Sequence, residues 1–283
     1  MTRALDGVER DERMARYAEH SELRQVPDAL RVADLLGDRL ASARTVVDLG
    51  CGTGTLARHL ARAAPRARVL GLDASRPRIA GLQDESDGAR LDFAVHDLRE
   101  PLPAEAHGAD VITMTAVLHW LHPHEPEVVP RIAAALDPAG VAVLTTYHPE
   151  SEASGLGGTD AVIAEAAGLP ADRAAAAFGA AGIVGVSART LPADELDSLL
   201  RRSFHVVSAT AHEAVTAPAD GRAFADYVDA TFGDYYQALF PGHDAQRDAV
   251  ATAAQRRLDA TGRVTAMPVR TWLCTGPVDG DAP

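Results

Sequence analysis

The ten residues from Thr45 to Gly54, TVVDLGCGTG, constrain the fold of this chain more than any other stretch. Val46, Val47 and Leu49 read as a short buried strand, and the glycines after them read as a tight turn. From residue 54 to 64 apolar positions recur at helical spacing. A strand passing through a glycine turn into a helix opens a βαβ unit, and the sequence then repeats the alternation. Residues 67–73 (ARVLGLD), 90–97 (RLDFAVHD), 108–118 (GADVITMTAVL) and 140–147 (GVAVLTTY) have strand character. Helical segments at 76–86 and 125–136 lie between them, the second stopped by Asp137-Pro138-Ala139-Gly140. Strands alternating with helices of about a dozen residues imply parallel pairing.

Two further strands, at 204–215 and 264–276, complete the expected fold. It is α/β: a Rossmann-like, doubly wound, mostly parallel sheet of seven strands. Residues 1–43 are expected to form an N-terminal helical lid, residues 44–147 the ligand-binding core, and residues 148–283 the rest of the sheet with inserted cap helices. Within the lid, apolar spacing over 10–41 is helical, and Pro27 either kinks it or begins a second helix. Residues 148–190 are rich in Gly, Ala and Ser with poor periodicity, 192–203 read as a helix, and 220–260 as two helices. The helix expected at 224–240 carries Phe224, Tyr227, Phe232, Tyr235, Tyr236 and Phe240, six of the eleven Phe and Tyr residues. That makes it a second cap candidate, although an aromatic stripe at helical spacing is more often core.

Composition removes several chemistries. The chain has no Lys and no Asn, which excludes a Lys Schiff base, a P-loop lysine and any site that needs an Asn amide. A formal charge of -13 repels polyanions, so no nucleic-acid partner is expected. Cys51 and Cys274 are far apart and imply neither a disulfide framework nor a CxxC metal site. The opening MTRALDGVERDERMARY has no apolar h-region, and no stretch nears the ~18 apolar residues of a membrane span. A soluble cytoplasmic protein without a membrane partner is the expectation.

Glycines between a strand and a helix let the backbone approach a ligand beside the donor-rich helix end. A P-loop fails for want of Lys. The dinucleotide fingerprint fits Gly50 and Gly52, but Thr55 stands where its third glycine belongs. S-adenosylmethionine (SAM) is the third option. Here the sequence resembles the class I SAM-dependent methyltransferases over residues 44–147. VVDLGCGTG is similar to that family's glycine motif, which implies that Asp48, Gly50, Cys51, Gly52 and Gly54 surround the methionine part of SAM. Asp73, 23 residues beyond Gly50 and followed by Ala74, closes the second strand, where a carboxylate can accept both ribose hydroxyls. The resemblance makes Asp97 an acceptor for the adenine amine, gives Leu98 a backbone amide contact, and places Thr115 beside the methionine segment. The Asn- or Asp-Pro-Pro motif of amide and nucleobase N-methylating members is absent. HWLHPHE instead resembles the signature of small-acid carboxyl methyltransferases of the trans-aconitate type.

Methyl transfer from a sulfonium needs an oriented acceptor and exclusion of water. A carboxylate acceptor needs no base, whereas an alcohol or phenol does, commonly His. His119 is the leading candidate, with His122 and His148 behind it. Loop histidines on a polar rim are the plainer reading. HxxHxHE matches no zinc pattern, so no metal is expected. Trp120 either lines the acceptor pocket or packs in the core. Tyr17, by resemblance, and His148 and Tyr235 are further substrate-side candidates, and Arg24, Arg189 or Arg270 could clamp an acid. The reading is methyl transfer to an oxygen, carboxylate or hydroxyl, of a small molecule. The alternative is a SAM-using enzyme of the same fold that performs an intramolecular cyclisation or another non-methyl transfer from the sulfonium. The cap helices could pair in a homodimer.

Overall fold

The computed structural model describes residues 17–86, 88–147 and 156–278. Its helices are α1 (Tyr17–Leu36), α2 (Asp38–Ser42), α3 (Thr55–Ala63), α4 (Arg76–Ala80), α5 (Leu118–Leu121), α6 (Glu125–Ala135), α7 (Gly158–Ala166), α8 (Ala171–Ala180), α9 (Ala193–Ser203), α10 (Gly221–Phe232) and α11 (His243–Thr261). Its strands are β1 (Thr45–Leu49), β2 (Arg68–Asp73), β3 (Leu91–Val95), β4 (Ala109–Thr115), β5 (Leu136–Tyr147), β6 (Phe204–Thr216) and β7 (Thr265–Pro277). The strands form one seven-stranded sheet in the order β3-β2-β1-β4-β5-β7-β6. The pairs β2–β3, β1–β2, β1–β4 and β4–β5 are parallel. β6 and β7 run antiparallel, since the Val264 amide donates to Thr216 at one end and the Val278 amide to Ser203 at the other. The expected doubly wound α/β fold is the one observed.

Continuous apolar strands follow from burial on both faces. Val47, Leu70, Ile112 and Leu144 point into one cluster with Val128, Val129 and Ile132 of α6 and Leu196 and Leu200 of α9. Their neighbours Val46, Val69, Val111 and Val143 point into the other, against Val32 and Leu36 of α1 and Leu56 and Leu60 of α3. Each such aliphatic side chain contributes roughly 1.5–3 kcal/mol by leaving water.

The chain divides into two compact units. One comprises residues 25–146, 190–211 and 270–283, and contains β1–β5. The other comprises residues 1–24, 147–189 and 212–269, and contains α7, α8, α10 and α11. In the first, the later half of α1 belongs to the core: Ala29, Val32 and Leu36 are buried.

Several expected boundaries move. Pro27 lies inside α1, and the break comes at Gly37, whose φ of 50° suits glycine. The strand expected to reach residue 118 ends at Thr115, because Ala116 turns the chain with φ 57°. The helix expected over 224–240 stops at Phe232, where Gly233 takes φ 54°. Residues 156–181, without clear periodicity, hold α7 and α8, which bury Val162, Ile163 and Phe178.

Candidate active site

Parallel pairing carries four strand ends to one edge of the sheet. Leu49 of β1 is level with Leu72 of β2 and Met114 of β4, and Asp73 is level with Val95 of β3. The glycine turn, Asp73, Asp97 and Thr115 therefore leave the sheet side by side, at the carboxyl edge where open α/β sheets bind ligands.

The turn is built by backbone. The amides of Gly50 and Cys51 both donate to the Leu72 carbonyl, at 2.7 and 3.0 Å, which pins the turn to β2. Gly50 has φ 70°, and a Cβ there would lie 2.3 Å from Cγ2 of Val117. Two independent reasons thus demand glycine. Gly54, with φ 74°, precedes α3, and a Cβ there would meet the Phe93 ring at 3.0 Å. Burial pushes the Cys51 thiol well above its ordinary range, so it stays protonated.

Asp73 is buried and braces the turn. Its Oδ2 accepts the Gly52 amide at 2.9 Å and its Oδ1 the Ser75 amide at 2.8 Å, with an Arg78 nitrogen 3.8 Å away. Each carboxylate oxygen accepts two bonds, so both keep capacity for a ligand hydroxyl. The His96 amide donates to the Asp73 carbonyl at 2.9 Å, which sets Asp97 next along the edge. Asp97 is partly exposed and gripped by Arg99, whose Nε lies 3.0 Å from both carboxylate oxygens. That hydrogen-bonded guanidinium holds the Asp97 carboxyl below its usual range. Leu98 beside it is buried.

Asp48 is buried and only partly hydrogen-bonded. It is 2 % exposed, and its Oδ1 accepts the Thr113 hydroxyl at 2.8 Å. Its Oδ2 has no hydrogen-bond partner among the described residues, and neither does the buried Thr115 hydroxyl. Burial, opposed by the Thr113 bond and the Ala57 backbone amide and reinforced by the charge of Asp73, pushes the Asp48 carboxyl up to about 7.

The histidines divide. His119 is buried in α5 with its ring 4.8 Å from that of half-buried Trp120. His122 is partly exposed, and its Nδ1 lies 2.8 Å from Oε1 of buried Glu125. His124 pairs with Glu127 at 2.9 Å in water. Sequence reasoning met Glu125 only as a member of a rejected metal-ligand set and Ala116 only as the end of a strand; it missed the burial of the first and the left-handed backbone of the second. The amide of Ala116 bonds the Thr145 carbonyl at 3.1 Å, and its left-handed backbone, uncommon for a residue with a Cβ, sits at the end of β4.

Tyr235 lies in the other unit, its hydroxyl donating to the Val184 carbonyl, and burial pushes its phenol up against the influence of Arg189. The aromatic stripe around it is core: Phe224 and Tyr236 are fully buried, and the Phe232 and Tyr236 rings meet edge-on at 5.4 Å. Arg270 reaches over the Trp272 ring, 6.0 Å from its centre. His148 lies outside the described residues, as do the Tyr17 and Arg24 side chains.

Residues 46–140 match the family model described as a methyltransferase domain, and the match spans the glycine turn and all three carboxylates. This segment is similar to a methyltransferase domain. A curated relative, trans-aconitate 2-methyltransferase from Delftia acidovorans, is 36 % identical over 132 residues, which cover 46 % of this chain and 46 % of that protein. The chain thus spans about half the length of the curated relatives it matches. Among solved structures, coclaurine N-methyltransferase bound to N-methylheliamine and SAH superposes with a TM-score of 0.54 at 14 % identity, covering 87 % of this chain and 72 % of the other. The cyclase SpnF superposes with a TM-score of 0.53 at 18 % identity, covering 87 % and 80 %. At such identities the likeness establishes the fold alone.

Proposed function

We propose that the chain is a SAM-dependent methyltransferase that delivers a methyl group to an oxygen of a small-molecule acceptor. The observation that carries this is the pair of unsatisfied buried groups beside the glycine turn, Asp48 Oδ2 and the Thr115 hydroxyl. An ammonium group is a donor that suits a buried carboxylate oxygen such as Asp48 Oδ2, and the methionine end of SAM supplies one. Asp73 has acceptor capacity left for the ribose hydroxyls, and Asp97 lies one step along the edge for the adenine amine. When bound, the cofactor supplies a methyl group on a positive sulfur, which leaves with the bonding pair on sulfur. The residues of the chain do the rest: Gly50 and Gly52 let the backbone close on the ligand, and Asp73 fixes the turn while holding the sugar. Relatives named for trans-aconitate support a small oxygen acceptor. No helix among the described residues is long and apolar enough to cross a membrane.

The test has two parts. Calorimetry with SAM should show binding that Asp73→Ala weakens by roughly 1–3 kcal/mol through lost hydrogen bonds. Incubation with methyl-labelled SAM and small acids or phenols should give S-adenosylhomocysteine and a methylated product. Methylthioadenosine from SAM alone would instead favour intramolecular chemistry on the same fold, and unchanged affinity in Asp73→Ala would refute the site.

A further inference from the structure

We propose that His122, oriented by Glu125, is a catalytic base at this site, and that the acceptor it serves is a hydroxyl rather than a carboxylate. The inference rests on the methyl-transfer reading above and narrows its substrate class. His122 closes α5: its amide donates to the Leu118 carbonyl at 3.1 Å, one turn after Val117, which presses on Gly50. The residue therefore lies on the same stretch of chain that leaves β4 at the ligand-binding edge.

The chemistry comes from the pairing. A carboxylate only accepts hydrogen bonds, so in the 2.8 Å contact Nδ1 is the donor, and a neutral ring donating there has its lone pair on Nε2. Glu125 is 1 % exposed, and its Oε2 has no partner among the described residues, so the carboxylate serves this imidazole alone. Burying a carboxylate costs several kcal/mol unless it is paired. The adjacent pair shows that the local sequence does not require this: His124 and Glu127 have the same spacing and a 2.9 Å contact, yet Glu127 is 59 % exposed. A base oriented by a buried acid is the arrangement that activates a weakly acidic hydroxyl. A carboxylate acceptor is already a nucleophile and would leave it idle.

In the step, the acceptor O–H bond breaks, its proton passes to Nε2 and its electron pair stays on oxygen. That oxygen bonds the methyl carbon as the carbon–sulfur pair returns to sulfur, and the imidazolium then gives its proton to water. His122 is the catalytic residue and Glu125 the positioning residue.

The experiment uses the full chain with SAM, whose binding is first verified by calorimetry, and three acceptors: 4-methylphenol, catechol and trans-aconitate. Transfer to a phenol is expected, with His122→Gln lowering kcat by about 100-fold or more and leaving SAM affinity unchanged. Added imidazole should restore part of the activity of His122→Ala, and His124→Gln should behave as the parent. Independently of turnover, nitrogen-15 NMR should find the neutral His122 ring as the Nδ1–H tautomer, shifting toward Nε2–H in Glu125→Ala. Should that variant not fold, Glu125→Gln is expected to lower kcat about 10-fold with KM for SAM unchanged. Transfer to trans-aconitate alone, no transfer to either phenol while SAM binds, an undiminished His122→Gln, or an Nε2–H tautomer in the parent each overturns the proposal. Failure to bind SAM would bring down the methyl-transfer reading itself, and is seen in the calorimetry before any acceptor is added.

Discussion

Asp48 gives the sharpest test, because one buried carboxylate ties stability, pH and ligand binding together. Its carboxyl is pushed from an ordinary 3.8 up to about 7, chiefly by burial. That displacement corresponds to about 4 kcal/mol of preference for the protonated form. The sign follows from proton counting. Between pH 4 and 7 the folded chain holds a proton here that the unfolded chain has lost, so stability falls as pH rises through that window and stays reduced above it. Asp48→Asn keeps the shape without the charge. The variant should be more stable than the parent at pH 8 by a few kcal/mol and nearly equal to it at pH 4 in urea unfolding. Ligand binding should run the other way. If the ammonium of SAM meets the ionised carboxylate, binding at pH 6 must expel the proton that about nine-tenths of the molecules carry there. Calorimetry at pH 6 in buffers of different ionisation enthalpy should show about 0.9 proton released per SAM in the parent and close to none in Asp48→Asn, which binds more weakly. A binding enthalpy indifferent to buffer, with affinity intact, would refute both the buried charge and its partner.

Three further outcomes are expected. Gly50→Ala should abolish SAM binding and lower the melting temperature, since φ 70° and the 2.3 Å approach of Val117 leave no place for a methyl group. Asp97→Ala should weaken SAM binding several-fold by calorimetry, an effect that persists down to pH 5 because Arg99 keeps this carboxyl low and ionised. Trp272→Phe should destabilise the protein by roughly 1–3 kcal/mol in urea unfolding. It shrinks a fully buried side chain and removes the 3.2 Å bond from Nε1 to Asp197.

The sheet was legible because its strands are buried on both faces and have to read as unbroken apolar runs, as Val46, Val47 and Leu49 do. The glycine turn was legible because left-handed backbone and close approach leave a mark in composition. Where the chain turns without glycine, the mark is missing. Ala116 adopts φ 57° at the end of β4, and an alanine among TMTAVL gives no sign of it. The second unit was obscure for a different reason. Helix α7 buries Thr159 and Asp160 beside Val162 and Ile163, and α8 buries only Ala174 and Phe178 among many alanines, so periodicity is faint. The aromatic stripe from Phe224 to Phe240 was visible, but its division at Gly233 lets Tyr236 fold back on Phe232, which spacing along one continuous helix does not foresee.

The pairs that follow α5 show where sequence reading stops. His122 with Glu125 and His124 with Glu127 are interchangeable on paper: same residue types, same separation, and Nδ1–Oε distances of 2.8 and 2.9 Å. Only tertiary packing separates them. α6 lays Val128, Val129 and Ile132 against the sheet, and the face that carries those residues takes Glu125 inward with them. Glu127, on the other side of the helix, remains in water. Charge, spacing and hydrogen bonding are properties of the local chain, whereas the dielectric around a carboxylate belongs to the fold. A His–Glu pair becomes a candidate for chemistry when the second property is added to the first, and the same addition separates Asp48, whose Oδ2 is buried and unpartnered, from Asp97, which Arg99 satisfies at the surface.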